Sequence, residues 1–181
     1  MNKLLLSLLL TAALLFSVSH QSVAQDRANE ARVSPNASVS QSIGTTNVTI
    51  LYGRPSVKGR NVFGGLEPYG EVWRTGANEA TTITFSDDVL IEGEKLEAGT
   101  YGLFTVPGKE DWVVIFNNVP NQWGAFDYDS SEDALRVRVE PEQGRPMEQL
   151  MFYFEDVTTS SGTAVMHWSE VKVPFTIEPA S

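Results

Sequence analysis

Hydrophobic and polar residues alternate along much of this chain with the two-residue period of a β-strand. The alternation predicts strands at 48–52, 82–85, 135–139 and 171–177. Residues 112–116 and 150–154 are apolar at consecutive positions, which predicts central strands. Turn-forming clusters at 92–94, 107–109, 140–142 and 160–162 separate the runs. The pattern therefore predicts an all-β protein, and we favour an antiparallel β-sandwich over a barrel.

Pro174 interrupts the last of these predicted strands. Proline has no backbone N–H to donate to a ladder, so we expect this strand to lie at a sheet edge or to be bulged there.

The segment 52–81 departs from the pattern. It combines glycines, prolines, cations and aromatic residues, and it has little strand or helix periodicity. Long irregular segments in compact domains are usually functional or disordered, and this one is too rich in aromatic residues for disorder. We therefore expect any functional site to lie here, in a long irregular loop.

The N-terminus predicts an exported protein. Lys3 precedes an apolar run that ends near Val18, and small residues end at Ala24, which is the layout of a secretory signal peptide. The run is too short for a membrane anchor. We assign 1–24 to the signal peptide, 25–38 to a flexible leader and 39–179 to one β-sandwich domain, and we expect a periplasmic or secreted location with no membrane insertion after cleavage.

The composition argues against several kinds of partner and against disulfide bonds. The formal net charge is −10, which argues against nucleic acid and anionic membranes as partners. There is no cysteine, so the fold has no disulfides. Positive charge is concentrated locally, because no acidic residue lies between Glu30 and Glu67, whereas Arg32, Arg54, Lys58 and Arg60 do.

These cations and the nearby aromatic residues suggest a binding site for an anionic or polar ligand, because guanidinium groups bind carboxylate or phosphate in a bidentate manner. The alternative is structural: Arg74 pairs with Glu71 or Glu79 and fixes the segment to the sheet, with the aromatic residues in the core. The candidate ligand-binding residues are Tyr52, Arg54, Lys58, Arg60, Trp73, Arg74 and Asn78.

Metal and cofactor chemistry has little support in the sequence. His167 is the one histidine left after signal cleavage, so we expect no zinc or copper site built from clustered His and Cys ligands, and no cofactor. The acidic run 127–133 fails the EF-hand spacing and indicates a surface turn, with an irregular calcium site as the alternative. His167 alternates with Met166 and Trp168, which predicts a half-exposed strand histidine with no catalytic partner.

Several motifs carry a family resemblance: RPSVKGR at 54–60, PYG at 68–70, VWRTGAN at 72–78, AGTY at 98–101, LFTVP at 103–107 and VPF at 173–175. The chain resembles exported bacterial proteins grouped only as domain of unknown function 2911. The resemblance implies a secreted or periplasmic single β-domain and supplies no catalytic residues. Glu67 and Glu97 are small departures, where an apolar residue and a proline are expected.

Three hypotheses for function remain. The first is a non-catalytic domain that binds a small molecule, a glycan or an envelope protein through 52–81, in which Arg54→Ala or Arg74→Ala abolishes binding and leaves stability nearly intact. The second is a cell-envelope hydrolase that uses His167 or a carboxylate as general base. The third is a structural envelope component, which an exposed apolar face on 171–177 would favour.

Overall fold

The computed structural model describes residues 31–180, and from Arg32 onward the chain forms one compact unit. The strands are β1 Asn36–Ile43, β2 Thr46–Gly53, β3 Thr81–Phe85, β4 Val89–Ile91, β5 Glu94–Leu96, β6 Gly99–Val106, β7 Trp112–Asn117, β8 Asp133–Val139, β9 Glu142–Glu155 and β10 Gly162–Pro179. A single 3₁₀ turn, Ser130–Glu132, precedes β8 in this part of the chain. The predicted signal peptide lies outside the described residues, and β1 begins at Asn36, inside the segment expected as a leader.

The strands form two antiparallel sheets that pack face to face, so the predicted all-β sandwich is confirmed. One sheet has six strands in the order β1-β2-β3-β6-β7-β8, and the other has four in the order β5-β4-β10-β9. Most strands that follow one another in the sequence are joined by short turns, and each of the four predicted turn clusters lies at one of these turns. In the turn between β4 and β5, Glu92 and Gly93 both have positive φ, as a two-residue hairpin turn requires. Within residues 31–180, no helix is long and apolar enough to cross a membrane.

The core follows the alternation of the strands. On β10, Val173, Phe175 and Ile177 are buried between the sheets. Strand 171–177 therefore has no exposed apolar face, and the feature that would have favoured a structural envelope component is not there. At one end of the sandwich, an aromatic cluster fills the space between the sheets; its members are Phe63, Trp73, Trp112 and Trp168.

Two expectations about strand position are wrong. Residues 112–116 lie in β7, which is interior as predicted, but 150–154 lie in β9, which is at the edge of its sheet. β9 is apolar on both faces because Leu150 and Phe152 point into the core while Met151 and Tyr153 line a groove on the outer face.

The position of β10 is the second correction. It lies between β4 and β9 rather than at an edge. Its ladder to β9 ends at Lys172 and its ladder to β4 begins at Ile177, so Pro174 lies between the two ladders. The proline is therefore accommodated where no donor is required.

Candidate functional site

The segment 54–80 connects the two sheets. After β2 it crosses to the outer edge of β9, where Ser56 forms an isolated bridge with Gln149 and the amide of Val57 donates to the carbonyl of Glu148 at 2.8 Å. It then returns to the six-stranded sheet, where Trp73 pairs with Thr105 beside β6. The segment that looks irregular in sequence is thus held by backbone hydrogen bonds to both sheets.

Tyr52 and Trp73, two of the candidate residues, belong to the core. Tyr52 is 7% exposed, and its hydroxyl accepts a hydrogen bond from the amide of Phe152 at 3.1 Å. Trp73 is 3% exposed, stacks on Trp168 and donates from its indole to the carbonyl of Gly76 at 3.2 Å. Their side chains join the two sheets and do not form a surface that a ligand could reach.

The guanidinium groups of Arg54 and Arg60 donate to backbone carbonyls. Nε of Arg54 donates to the carbonyl of Leu150 at 2.8 Å, across the gap between the sheets. Arg60 folds back on its own turn and donates to the carbonyls of Val57 at 3.0 Å and Ser56 at 2.5 Å. These two side chains therefore satisfy acceptors that the irregular backbone leaves outside any ladder.

Lys58 and Asn78 occupy backbone conformations with positive φ, of 50° and 65°. Lys58 is exposed, and its amide, rather than its ammonium group, binds a carboxylate oxygen of Glu148 at 3.0 Å. The side-chain amide of Asn78 donates to the carbonyl of Ser34 at 3.1 Å. The candidate cations do not converge on one point.

Arg74 differs from the other candidates. Its Nε is buried and has no hydrogen-bond partner among residues 31–180. No carboxylate in that range lies within 4.0 Å of its nitrogen atoms, and Glu79 instead contacts Arg32 at 2.5 Å. The predicted pairing of Arg74 with Glu71 or Glu79 is therefore absent from the described residues.

Glu67 is the acid whose titration Arg74 influences. Burial raises the pKa of Glu67 to about 7, and the positive charges of Arg74 and Arg60 lower this pKa in part. Burial outweighs both arginines because neither is close enough to form an ion pair with it.

The loop between β7 and β8 lies beside Arg74. The amide of Gly124 donates to the carbonyl of Asn78 at 3.0 Å, and the amide of Ala80 donates to the carbonyl of Gln122 at 2.9 Å. A Cβ placed on Gly124 would lie 3.8 Å from Nη1 of Arg74 and 3.1 Å from the ring of Phe126. The guanidinium group and the phenyl ring thus approach the same glycine.

Two large aromatic side chains of this loop remain in solvent: Trp123 is 57% exposed and Phe126 is 83% exposed. We call the patch formed by Arg74, Trp123, Gly124 and Phe126 the Arg74 surface. Sequence reasoning did not identify Trp123 or Phe126. The available signal was a tryptophan and a phenylalanine in a glycine-containing stretch that has no strand alternation.

His167 lies on the outer face of the four-stranded sheet, as its alternation predicted, but it is 3% exposed rather than half-exposed. It is covered by β9, since a Cβ on Gly144 would come within 2.5 Å of its Nε2. The groove that His167 lines contains none of the cations of 52–81. The structure therefore does not combine His167 with those arginines in one site.

The acidic run 127–133 forms a turn held by its own side chains. Asp129 accepts hydrogen bonds from the amide and hydroxyl of Ser131, and Asp133 binds the hydroxyl of Tyr128 at 2.6 Å and the guanidinium of Arg136 at 2.9 Å. Within residues 31–180, no group of three or more His, Cys, Asp or Glu side chains is placed to hold a metal.

Comparison with protein families gives one match: a model described as "Protein of unknown function (DUF2911)" covers residues 34–177. Comparison with curated proteins and with solved structures finds no match.

Proposed function

The chain belongs to the DUF2911 family, whose description assigns no activity, and we propose that it is a non-catalytic, exported β-sandwich that binds an acidic saccharide at the Arg74 surface. The N-terminal pattern of a signal peptide supports export. The observation that carries the binding proposal is the buried Nε of Arg74, which has no partner in the described residues, together with the exposed Phe126 that approaches the same glycine. Trp123, which precedes that glycine in the chain, is also exposed.

The cation is the first element of this site. A buried polar group without a partner costs about 1–3 kcal/mol, more for a charged group, so the fold keeps Arg74 in an unfavourable setting. A carboxylate accepts two parallel hydrogen bonds from a guanidinium group. Because Nε is buried, a ligand carboxylate would bind the two Nη groups and would offset the charge of the guanidinium group.

The aromatic residues are the second element. Phe126 exposes apolar area near the cation, and Trp123 exposes apolar area in the same loop. Exposed apolar patches commonly mark interaction sites. Their rings offer flat surfaces on which the C–H face of a pyranose can lie. A sugar that carries a carboxylate therefore matches both the rings and the guanidinium group.

NMR titration of the protein with D-glucuronate tests the proposal, with D-glucose as the neutral analogue. We expect glucuronate to shift the Nε–Hε signal of Arg74 and the indole signal of Trp123, and glucose to leave the Arg74 signal in place. Arg74→Ala should abolish the response of Trp123, and Trp123→Ala should weaken binding.

The matched control is Arg138→Ala, because Arg138 is exposed on β8 and lies outside the Arg74 surface. This variant should bind glucuronate as the unmodified protein does. The proposal is overturned if glucuronate shifts neither signal, or if Arg74→Ala binds it with unchanged affinity.

A further inference from the structure

The outer face of the four-stranded sheet carries a groove of about 340 Å³ that the proposed function does not use. The surface that lines it is mainly apolar. The lining residues are Arg145, Met147, Met151, Tyr153, His167 and Lys172. The groove thus combines two of the four methionines in the sequence with a buried histidine.

Irregular pairing between β9 and β10 brings these residues together. Met151 is directly opposite His167, and Met147 is opposite Ser169. Four residues of a regular strand span about 13 Å and two span about 7 Å, so β9 is compressed between its two methionines to match the two-residue step on β10. Ser169 has a positive φ of 55° at this bulge. Because of this compression, Met147 lies opposite Ser169, two residues from His167 along β10, instead of opposite Val171.

The imidazole of His167 is fixed by one of its nitrogens. Nε2 lies 2.9 Å from the carbonyl oxygen of Arg145. A carbonyl oxygen only accepts, so Nε2 carries the hydrogen, and in the neutral ring the lone pair is on Nδ1. Nδ1 has no hydrogen-bond partner among residues 31–180. A histidine that ligates a metal through one nitrogen usually donates from the other to a carbonyl or carboxylate in this way.

The charges around the groove limit which ion could bind. None of the described lining residues carries a carboxylate, and Arg145 and Lys172 are cations. Hydrogen bonding to Tyr153 and the charge of Glu155 raise the pKa of Lys172, and Glu142 lies 3.7 Å from its ammonium group. Hard divalent ions, which need oxygen ligands, are therefore disfavoured. Thioether sulfur and imidazole nitrogen are ligands for soft ions such as Cu(I).

We propose that Met147, Met151 and His167 form a binding site for a soft monovalent metal ion, Cu(I) or its analogue Ag(I). The two thioethers and Nδ1 of His167 supply three neutral donors, and the carbonyl of Arg145 orients the imidazole. The sequence argues against copper sites built from clustered His and Cys. This site instead uses methionine, and its donors become neighbours through the bulge in β9.

The test is an anaerobic titration of the full chain with Cu(I) in competition with bicinchoninate, and with Ag(I) followed by the methionine methyl signals in NMR. We expect one equivalent of Cu(I) to bind, and Ag(I) to shift the methyl signals of Met147 and Met151. M147L and M151L should each weaken Cu(I) binding roughly tenfold or more, which corresponds to about 1.4 kcal/mol per tenfold. Exchanges of methionine for leucine conserve volume and usually cost less than about 1.5 kcal/mol in stability, so both variants should fold.

M166L is the matched control, because Met166 is adjacent to His167 but is buried on the opposite, core face of β10. It should retain full Cu(I) affinity and leave the Ag(I)-induced shifts in place. The proposal is overturned if the chain binds no Cu(I), or if the M147L/M151L double variant binds it as tightly as M166L. It is also overturned if Zn(II) binds with the same dependence on both methionines.

Discussion

Arg54 and Arg74 belong to the same irregular segment, but their guanidinium groups have different surroundings. Nε of Arg54 donates to the carbonyl of Leu150 on the opposite sheet, whereas Nε of Arg74 is buried without a partner in the described residues. Arg60 resembles Arg54, since it donates to carbonyls of its own turn. Two of the four cations of this segment thus satisfy backbone acceptors, and Arg74 is the arginine of the segment whose Nε is buried without a partner in the described residues.

This difference separates the structural role of Arg54 from the binding role that we propose for Arg74. A long segment outside any ladder leaves many carbonyl groups without partners, and arginine can satisfy several of them from one side chain. The sequence suggested acids or ligands as partners for these cations, whereas Arg54 and Arg60 bind carbonyls. The surroundings of each arginine, rather than its position in the sequence, decide which role it has.

The comparison is tested most strongly by removing Arg54. Its bond to Leu150 is charge-assisted, and bonds of this type contribute about 1.5–3 kcal/mol. We expect Arg54→Ala to lower the free energy of unfolding by about 2 kcal/mol in urea denaturation, contrary to the sequence-based expectation of nearly intact stability. Arg138→Ala, an exposed arginine on β8, is the control, and equal stability of the two variants would contradict a structural role for Arg54.

The hydroxyl of Tyr52 makes a second connection between the sheets, close to Arg54. Tyr52→Phe removes the acceptor for the buried amide of Phe152, and we expect a loss of about 1 kcal/mol in the free energy of unfolding. The matched control is Tyr69→Phe, because Tyr69 is 42% exposed. If both phenylalanine variants unfold at the same urea concentration, the hydroxyl of Tyr52 does not contribute to stability.

The pH dependence of stability tests the surroundings of Glu67, the acid whose pKa Arg74 and Arg60 lower in part. Burial raises its pKa to about 7 in the folded protein, so between its ordinary value of 4.5 and 7 the folded state binds more protons than the unfolded state. The contribution of protonated Glu67 to folding stability is complete below pH 4.5 and is lost as the pH rises toward 7. Thermal unfolding should show Glu67→Gln losing less stability than the unmodified protein between pH 5 and pH 8, with Glu71→Gln as an exposed control. Parallel losses in all three proteins would contradict the raised pKa.

The smallest expected loss of stability is that of Arg74→Met. Methionine keeps much of the apolar stem and removes a buried donor that has no partner, so we expect the free energy of unfolding to fall by no more than about 0.5 kcal/mol. The measurement is the same urea denaturation used for Arg54→Ala. A loss as large as that of Arg54→Ala would show that Arg74 has a structural partner and would remove the difference between the two arginines.

Much of the fold could be predicted because strand alternation is a local property. The strands at 48–52, 82–85 and 135–139 and the turns between strands match the structure. The position of β9 could not be predicted in this way, because Met151 and Tyr153 face a groove on the outer surface and make an edge strand look central. Apolar residues on both faces indicate two covered surfaces, but they do not show what covers each surface.

The sequence by itself determined most of the strands and the turns, and it identified 52–81 as an irregular segment, since these depend on residues close together in the chain. The tertiary structure decided which side chains of that segment are buried and which partners they have. It placed Tyr52 and Trp73 in the core, directed Arg54 to a carbonyl almost a hundred residues away, and brought Gly124 and Phe126 near Arg74. These outcomes depend on hydrogen bonds and contacts between distant parts of the chain, which no local pattern encodes.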